Sequence, residues 1–306
     1  MGDLILALPA LWSLYWSLEP ERFSVAGHPW AIGVLEDVPW VTELLDVNLS
    51  PFSTLWWRPS RLDFTHAVVF SNSTEWERSL KASGIGEVWL MPPFPRRRIP
   101  LLHHHLEGLR RYGILYKVAF PDLSLRDEER ESARTFLKQR GITGPYFVIH
   151  PGAGSPQKIW PPERMAEIAR WASRWGYFPV VVEGPADGAP CSAFLKALGI
   201  PFLHLKHPPL RFLCAIISQG RFFLGNDSGI SHLAAASGCP TLVLFGPTDP
   251  VLWSPRGVSV RWIWKRAECA PCSGERRRGC RRCKAMEAIS VEDVKEGLLA
   301  LLGREE

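Results

Sequence analysis

The stretch YFVIHPGAGSPQKIWPPERMAEIARW, residues 146–171, decides the fold of this chain. It begins with Tyr146–His150, a short apolar run that is typical of a buried strand. A glycine-rich turn follows, and then an amphipathic helix from Pro161 to about Trp175. A buried strand that passes through such a turn into a helix indicates a parallel α/β sheet, in which ligands bind at the carboxyl ends of the strands.

The same alternation continues on both sides of this stretch. Toward the carboxyl terminus it predicts strands at 178–182, 221–225 and 241–245 and helices at 210–218, 228–236 and 291–302. Toward the amino terminus the pattern is fainter and predicts helices at 9–18 and 127–140 and strands near 23–26, 67–70 and 88–91. Because residues 141–145 read as a hinge, we expect two α/β domains, 1–140 and 141–306, each with a doubly wound parallel sheet.

Composition excludes several classes of protein. The 306 residues are 46% hydrophobic, too apolar for a disordered chain. The uncharged run 4–18 is interrupted by Pro9 and is shorter than the roughly 20 residues of a spanning helix. No positively charged segment precedes it, as a signal peptide would require. The seven cysteines do not form an even disulfide framework, so we expect a soluble protein in a reducing cytoplasm.

The basic charge and four cysteines share one segment near the end. Residues 256–284 carry ten Lys or Arg against two Glu, a balance of +8 within a net charge of +5. Their two CxxC pairs are typical of a structural zinc site, with free thiols or disulfides as alternatives. The pairs are Cys269 with Cys272 and Cys280 with Cys283. Arginines at 276–278 and 281–282 also permit a nucleic-acid-binding function that uses this segment.

The glycine-rich turn carries groups suited to an anionic ligand. Gly152 and Gly154 let the backbone approach an anion, Ser155 adds a hydroxyl, and Lys158 adds a positive charge. The turn matches neither of the common phosphate-binding glycine motifs. The next strand ends in a second polar turn, where Glu183 or Asp187 could hold ribose hydroxyls. The spacing does not decide between these two acidic residues.

A third polar turn, residues 225–232, comes before a predicted helix. Asp227 or Ser228 can cap this helix, and its start at Gly229 presents N–H groups to a phosphate. A simple helix cap is the alternative, but the turn and His232 one turn later are more polar than a cap requires. With the turn 245–250, these loops suit a pyrophosphate-containing ligand.

Together these segments resemble the bacterial heptosyltransferases, glycosyltransferase family 9. In chain order the matching motifs are Gly2-Asp3 with Pro9-Ala-Leu11, His150-Pro-Gly-Ala153, Lys158-Ile-Trp-Pro-Pro-Glu163, Asn226-Asp-Ser-Gly229 with His232-Leu-Ala-Ala235, and Phe245-Gly-Pro-Thr-Asp-Pro250. Residues 20–120 match only in outline. The resemblance implies the GT-B architecture, two Rossmann-like domains facing across a cleft, with the acceptor in domain 1–140 and the nucleotide-sugar in domain 141–306.

The resemblance further implies an inverting, metal-independent glycosyltransferase that needs no cofactor for catalysis. It would move a heptose or similar sugar from a nucleotide diphosphate such as ADP-heptose to a lipopolysaccharide core acceptor. The chain contains no Asp-x-Asp sequence, the metal–nucleotide clamp of the other glycosyltransferase architecture. The implied partners are this sugar donor and a phosphorylated, lipid-linked saccharide, with peripheral contact at the inner membrane face and no nucleic acid. A catalytically inactive family member is a further alternative.

Individual roles also follow from the resemblance. Asp3 corresponds to the general base that takes the proton of the acceptor hydroxyl, and Lys158 to the lysine that neutralises the departing diphosphate. Asp227 corresponds to a donor-sugar contact, His232 lines the same helix, and Asp187 is assigned to the ribose. In the family a central strand precedes the Gly-Asp turn, whereas this sequence begins at the turn. We expect either that the true start lies upstream or that the first sheet lacks this strand. Asp3 is expected in a loop just ahead of the helix 9–18.

Overall fold

The computed structural model of the chain describes residues 1–116, 118–272, 280 and 283–304. It divides into two compact units, the first formed by Met1 and Asp3–Ala119 and the second by Gly2 and Phe120–Glu306. This division differs from the expected boundary at 140/141, because the helix Asp127–Gln139 packs within the second unit.

The first unit contains two separate pairs of parallel strands. β1 (Ser24–Gly27) pairs with β2 (Glu43–Asp46), and β3 (His66–Phe70) pairs with β4 (Glu87–Met91). The sequence predicts three of these strands and misses β2. The helices of this unit are α1 (Gly2–Leu18), α2 (Pro29–Ile32), α3 (Thr74–Ala82) and α4 (Leu101–Leu109).

An apolar cavity of about 600 Å³ lies inside the first unit and is lined by residues of α1, β1 and β3. Within the described part of the chain, β1 pairs with β2 alone and β3 with β4 alone. Each of these two strands therefore has one edge without a strand partner.

α1 corrects the expectation for the amino-terminal helix. It begins at Gly2 and not at Pro9, so Asp3 lies exposed in its first turn rather than in a loop. A proline inside a helix costs about 3 kcal/mol because it removes a backbone hydrogen bond. Burial of side chains such as Ile5 and Leu6 outweighs this cost, at about 1.5–3 kcal/mol each. Neither α1 nor any other helix within the described ranges has the length and apolar character to cross a membrane.

The second unit is built on a six-stranded, wholly parallel sheet in the order β10-β9-β8-β5-β6-β7. The strands are β5 (Tyr146–His150), β6 (Phe178–Glu183), β7 (Leu203–Lys206), β8 (Phe223–Asn226), β9 (Thr241–Phe245) and β10 (Val260–Trp264). The chain runs from β5 to β6 and β7 and then returns to β8 on the other side of β5. Ligands of open α/β sheets bind at the carboxyl ends of the strands where the order reverses in this way.

Helices cover both faces of this sheet. They are α5 (Asp127–Gln139), α6 (Pro162–Ser173), α7 (Gly188–Leu198), α8 (Leu210–Ser218), α9 (Gly229–Ala236), α10 (Pro250–Trp253), α11 (Lys284–Glu287) and α12 (Val291–Leu302). α6, α7 and α12 share a buried cluster with Phe147 and Ile149 of β5. α9 packs on β8 and β9 from the opposite face. The predicted doubly wound α/β fold of this unit is confirmed, although the sequence misses α7, β7 and β10.

One buried ion pair attaches α5 to the rest of the second unit. Arg211 of α8 is 6% exposed and donates hydrogen bonds to both carboxylate oxygens of Glu129, at 2.8 and 2.5 Å. It also donates to the carbonyl oxygen of Leu123 at 2.6 Å. Burial alone would raise the pKa of Glu129, but the hydrogen bonds and charge of Arg211 outweigh burial and lower that pKa. The pair explains why α5 packs with the second unit.

We expect Arg211→Leu to reduce the free energy of unfolding by about 1–3 kcal/mol at neutral pH, because the partly buried Glu129 carboxylate loses Arg211 and keeps Arg126 as an ion-pair partner. Since the folded-state pKa of Glu129 is lowered, the pair stabilises the fold above the ordinary Glu pKa of about 4.3 and loses this effect as the pH falls. The difference from wild type should therefore shrink at about pH 3. Urea unfolding at both pH values measures it, with the exposed Arg174→Leu as control. An equal loss at both pH values would contradict the argument.

Candidate nucleotide-sugar site

A single buried amide holds the loop between β5 and α6. Asn226, at the end of β8, is 0% exposed. Its Nδ2 donates to the carbonyl oxygens of Pro151 and Gly152 at 3.0 and 3.1 Å, and its Oδ1 accepts the backbone N–H of Trp160 at 3.1 Å. These bonds fix both ends of the loop that carries Lys158. Asn226, a side chain of the neighbouring strand β8, therefore positions the loop that carries Lys158.

Lys158 is engaged in an ion pair in this structure. Its Nζ lies 2.6 Å from Oδ2 of Asp227, and Thr248 Oγ1 donates a 2.5 Å hydrogen bond to the same oxygen. Asp227 is buried, whereas the lysine side chain retains some exposure. Because these residues come from the loops after β5, β8 and β9, the predicted convergence of the three loops is observed.

The amino terminus of α9 follows Asp227 directly in the chain. Ser228 is the N-cap residue and Gly229 the first residue of the helix, and the Ser228 side chain makes no capping hydrogen bond. The N–H groups and dipole at a helix start favour an anion. His232, further along α9, is buried, and burial lowers its pKa to about 4. Its imidazole is therefore neutral at pH 7 and does not act as a cation.

Asp187 forms a buried pair with His150 at the ends of β5 and β6. His150 Nε2 lies 2.8 Å from Oδ2 of Asp187, and the backbone N–H of Gly184 donates to the same oxygen at 2.8 Å. Burial alone would raise the pKa of Asp187, but the hydrogen bonds and the charge of His150 lower it. Nδ1 of His150 lies 3.3 Å from the Ser228 hydroxyl, which links the pair to α9. Asp187 is thus used to hold the loops, and its predicted ribose contact stays a prediction.

The two glycines of the loop have different surroundings. A Cβ on Gly152 would lie 2.0 Å from Cγ of Asp187, whereas a Cβ on Gly154 would meet nothing within 4 Å. Packing against Asp187 thus requires glycine at 152, and the exposed position 154 has no such requirement. Ser155 Oγ is buried and has no hydrogen-bond partner in the part of the chain that the structure describes.

Sequence reasoning identified the loops but not every residue that organises them. The predicted residues of the second unit lie on the loops after β5, β6 and β8 and on α9, while Asp3 lies in the first unit. His150, Asn226 and Thr248 were not assigned a role. The sequence holds a signal for two of them. His150 and Asn226 are each the polar last residue of an apolar strand, and both are buried at the edge of the site.

The predicted zinc segment is attached to these loops. The backbone N–H of Cys272 donates to the carbonyl oxygen of Pro247 at 2.7 Å, and Gln157 Nε2 donates to the carbonyl oxygen of Cys280 at 2.8 Å. None of the four cysteines forms a disulfide within the described residues, and Cys283 is buried. Burial and the neighbouring thiols raise the pKa of Cys272.

No three of the four thiol sulfurs lie within 4.8 Å of one another in the part of the chain that the structure describes. Zn–S bonds of about 2.3 Å require sulfur atoms roughly 3.8 Å apart. Among the described residues, the group of three ligand atoms that lie within 4.8 Å of one another belongs to Glu183, Cys191 and His204 and includes none of the four. Zinc at the four cysteines stays a prediction. The arginines at 276–278 and 281–282 lie outside the described residues.

Comparison with known families adds to this geometry. The family model described as glycosyltransferase family 9 (heptosyltransferase) matches residues 96–281, more than half of the chain. The chain belongs to glycosyltransferase family 9. The family match includes every predicted nucleotide-sugar residue of the second unit and does not extend to Asp3.

Individual members of family 9 are similar over different lengths. Lipopolysaccharide heptosyltransferase 3 of Escherichia coli is 29% identical over 54% of this chain and 49% of its own length, so the match spans about half of that relative. A family 9 structure from Veillonella parvula has a TM-score of 0.80 at 19% identity and covers 98% of this chain and 94% of its own. The E. coli ADP-heptose lps heptosyltransferase II structure has a TM-score of 0.77 at 21% identity and covers 98% and 95%. These likenesses confirm the GT-B fold.

We expect Gly152→Ala to destabilise the second unit by about 1–3 kcal/mol, the usual cost of overpacking a buried site, because the new Cβ displaces Asp187. Gly154→Ala is the matched control and should leave the melting temperature nearly unchanged, since its Cβ enters open space. Thermal unfolding followed by circular dichroism compares the two variants. Equal melting temperatures for both would show that Asp187 does not constrain position 152.

Proposed function

We propose that this chain is a glycosyltransferase that moves a heptose, or a similar sugar, from ADP-heptose to a lipopolysaccharide core acceptor. The observation that carries the proposal is the position of Lys158, which Asn226 fixes at the sheet edge beside Asp227 and the start of α9. A lysine, a helix amino terminus and the free hydroxyl of Ser155 suit a diphosphate. The names of the relatives in family 9 support the sugar and the acceptor.

The proposed reaction is a single displacement that inverts the anomeric carbon. The acceptor oxygen attacks this carbon, the bond from the carbon to the β-phosphate oxygen breaks, and ADP leaves with the bonding electrons. Lys158 and the N–H groups at the start of α9 stabilise the negative charge that develops on the leaving group, since preorganised positive groups act most strongly there. With this charge supplied by the protein, the proposal needs no metal at the reacting atoms.

Asp3 is the proposed general base. Its carboxylate would accept the proton of the acceptor hydroxyl as that oxygen attacks. Two observations support availability for this role: Asp3 is exposed, and it lies in the first turn of α1, where helical geometry fixes its backbone. The assignment itself rests on the resemblance of Gly2-Asp3 to the family motif.

The acceptor site and the cellular location are further parts of the proposal. The basic segment 256–284 is proposed to contact acceptor phosphates or the anionic inner membrane face from the cytoplasm. Part of its charge is already neutralised, because Lys265 lies 2.6 Å from Asp293. Nucleic acid binding gains no support from the described residues, since the arginine runs lie outside them.

We expect Lys158→Ala to weaken ADP binding about 10- to 100-fold, because a charge-assisted hydrogen bond contributes about 1.5–3 kcal/mol. Isothermal titration with ADP measures the affinity, and GDP and UDP test the choice of base. Lys196→Ala, an exposed lysine on α7, is the control and should bind ADP as the wild type does. Unchanged ADP affinity in a folded Lys158→Ala variant would remove the basis of the proposed function.

Asp3→Asn is expected to abolish sugar transfer, because the amide cannot accept the proton, while ADP affinity stays within about twofold. Turnover is followed as ADP release from ADP-heptose in the presence of lipopolysaccharide core acceptor. The exposed Glu19→Gln, just after α1, serves as a matched carboxylate control. Full turnover in Asp3→Asn would disprove the assignment of the base. ADP binding without any turnover in the wild type would favour an inactive family member.

A further inference from the structure

A second group of chemically versatile side chains lies at the other edge of the same sheet. It consists of Glu183 at the end of β6, Cys191 on α7 and His204 on the edge strand β7. Their ligand atoms all lie within 4.8 Å of one another. Glu183 and Cys191 are buried, and the His204 side chain is 27% exposed. The proposed sugar transfer uses none of these three residues.

The fold brings the three together through strand register and helix packing. Val181 of β6 is paired with His204 of β7, so Glu183, two residues beyond Val181, projects from the same face of the sheet as His204. α7 covers this face, and its Cys191 belongs to the buried cluster there. The group is thus held by regular secondary structure.

A Cys–His–acid catalytic triad does not fit this geometry. In such a triad the two ring nitrogens of the histidine face the nucleophile and the acid separately. Here the same atom, His204 Nε2, lies 3.7 Å from Cys191 Sγ and 2.9 Å from Glu183 Oε2. Because one nitrogen lies close to both the thiol and the carboxylate, the three groups are placed as ligands around one shared point would be.

The distances fit a tetrahedral metal site. Bonds of about 2.3 Å to sulfur and 2.0–2.2 Å to nitrogen and oxygen separate neighbouring ligand atoms by about 3.3–3.6 Å. The sulfur–nitrogen distance of 3.7 Å agrees with this separation. The nitrogen–oxygen distance of 2.9 Å is shorter, so His204 and Glu183 would move slightly apart when an ion binds. Lys206 Nζ lies 3.6 Å from the other Glu183 oxygen and is 63% exposed, so Oε2 stays available to an ion.

We propose that Glu183, Cys191 and His204 bind a divalent transition-metal ion of the zinc class, with the fourth position open to solvent. Thiolate, imidazole and carboxylate together are the ligand set that such ions prefer. On binding, the thiol proton leaves to solvent and the imidazole hydrogen lies on Nδ1. The ion would cross-link β6, β7 and α7, beside the turn in which Asp187 holds His150. This inference is independent of the proposed sugar transfer and of zinc at the four carboxyl-terminal cysteines.

Cobalt titration of the full chain tests the proposal. The parent protein has all four cysteines at 269, 272, 280 and 283 replaced by serine, which removes the other predicted metal site. We expect one Co²⁺ per chain, with thiolate-to-cobalt absorption in the near ultraviolet. In this parent, Cys191→Ala and His204→Gln should each weaken binding by more than the 10- to 100-fold typical of losing an outer-sphere partner. Cys214→Ala, a buried cysteine on α8, is the matched control and should bind as the parent does.

A second measurement covers the case in which a buried variant does not fold. Zn²⁺ should raise the melting temperature of the parent and of Cys214→Ala but not that of His204→Gln, because an ion that binds only the folded state stabilises it. His204 is partly exposed, so its glutamine variant keeps the sheet edge intact. Absence of thiolate-to-cobalt absorption in the parent, or undiminished binding in His204→Gln, would overturn the proposal.

Discussion

The three hydrogen bonds of Asn226 are the constraint on which the rest of the site depends. Parallel strands end at one edge of a sheet, but the loops that follow them are held there only by specific contacts. Asn226 binds the carbonyl groups at one end of the Lys158 loop and the N–H of Trp160 at the other. In a fully buried setting, each partner left unsatisfied costs about 1–3 kcal/mol. The loop conformation is therefore determined by the β8 strand, and Asp227 follows Asn226 directly in the chain.

A second constraint acts through Asp187 and explains why the loop after β5 has glycine at position 152. The His150–Asp187 pair fills the space that a side chain at 152 would need. The same carboxylate accepts the N–H of Gly184, so one buried anion organises the turns after β5 and β6. Because burial and hydrogen bonding act on the carboxylate in opposite directions and hydrogen bonding prevails, Asp187 stays ionised. An acidic residue of this kind is a structural part of the site, whatever ligand the site takes.

Local patterns predicted much of the second unit, and tertiary contacts explain what they missed. β5 is buried along its whole length, so its apolar run is clear from the sequence. β7 is a four-residue edge strand with alternating residues, too short to give a signal of its own. The predicted start of α1 at Pro9 was wrong, because proline favours the first turn of a helix. The helix begins earlier because burial of its first residues outweighs this preference, and that burial depends on tertiary packing. Lys158 and Asp227 were predicted as separate groups, since spacing along the chain carries no information about their ion pair.

The Lys158–Asp227 ion pair affects how strongly the site can attract an anion. A lysine held 2.6 Å from a buried carboxylate is already in place and does not need to be ordered when a diphosphate binds. The same carboxylate offsets part of the lysine charge before an anion binds. The N–H groups at the start of α9, which Asp227 directly precedes in the chain, are the second positive feature beside the ion pair. In the proposed transfer, negative charge that grows on the leaving group would compete with Asp227 for the Lys158 ammonium. The proposed stabilisation by Lys158 would therefore be greater as the bond to the leaving group breaks than in the bound donor, which is the condition for catalysis.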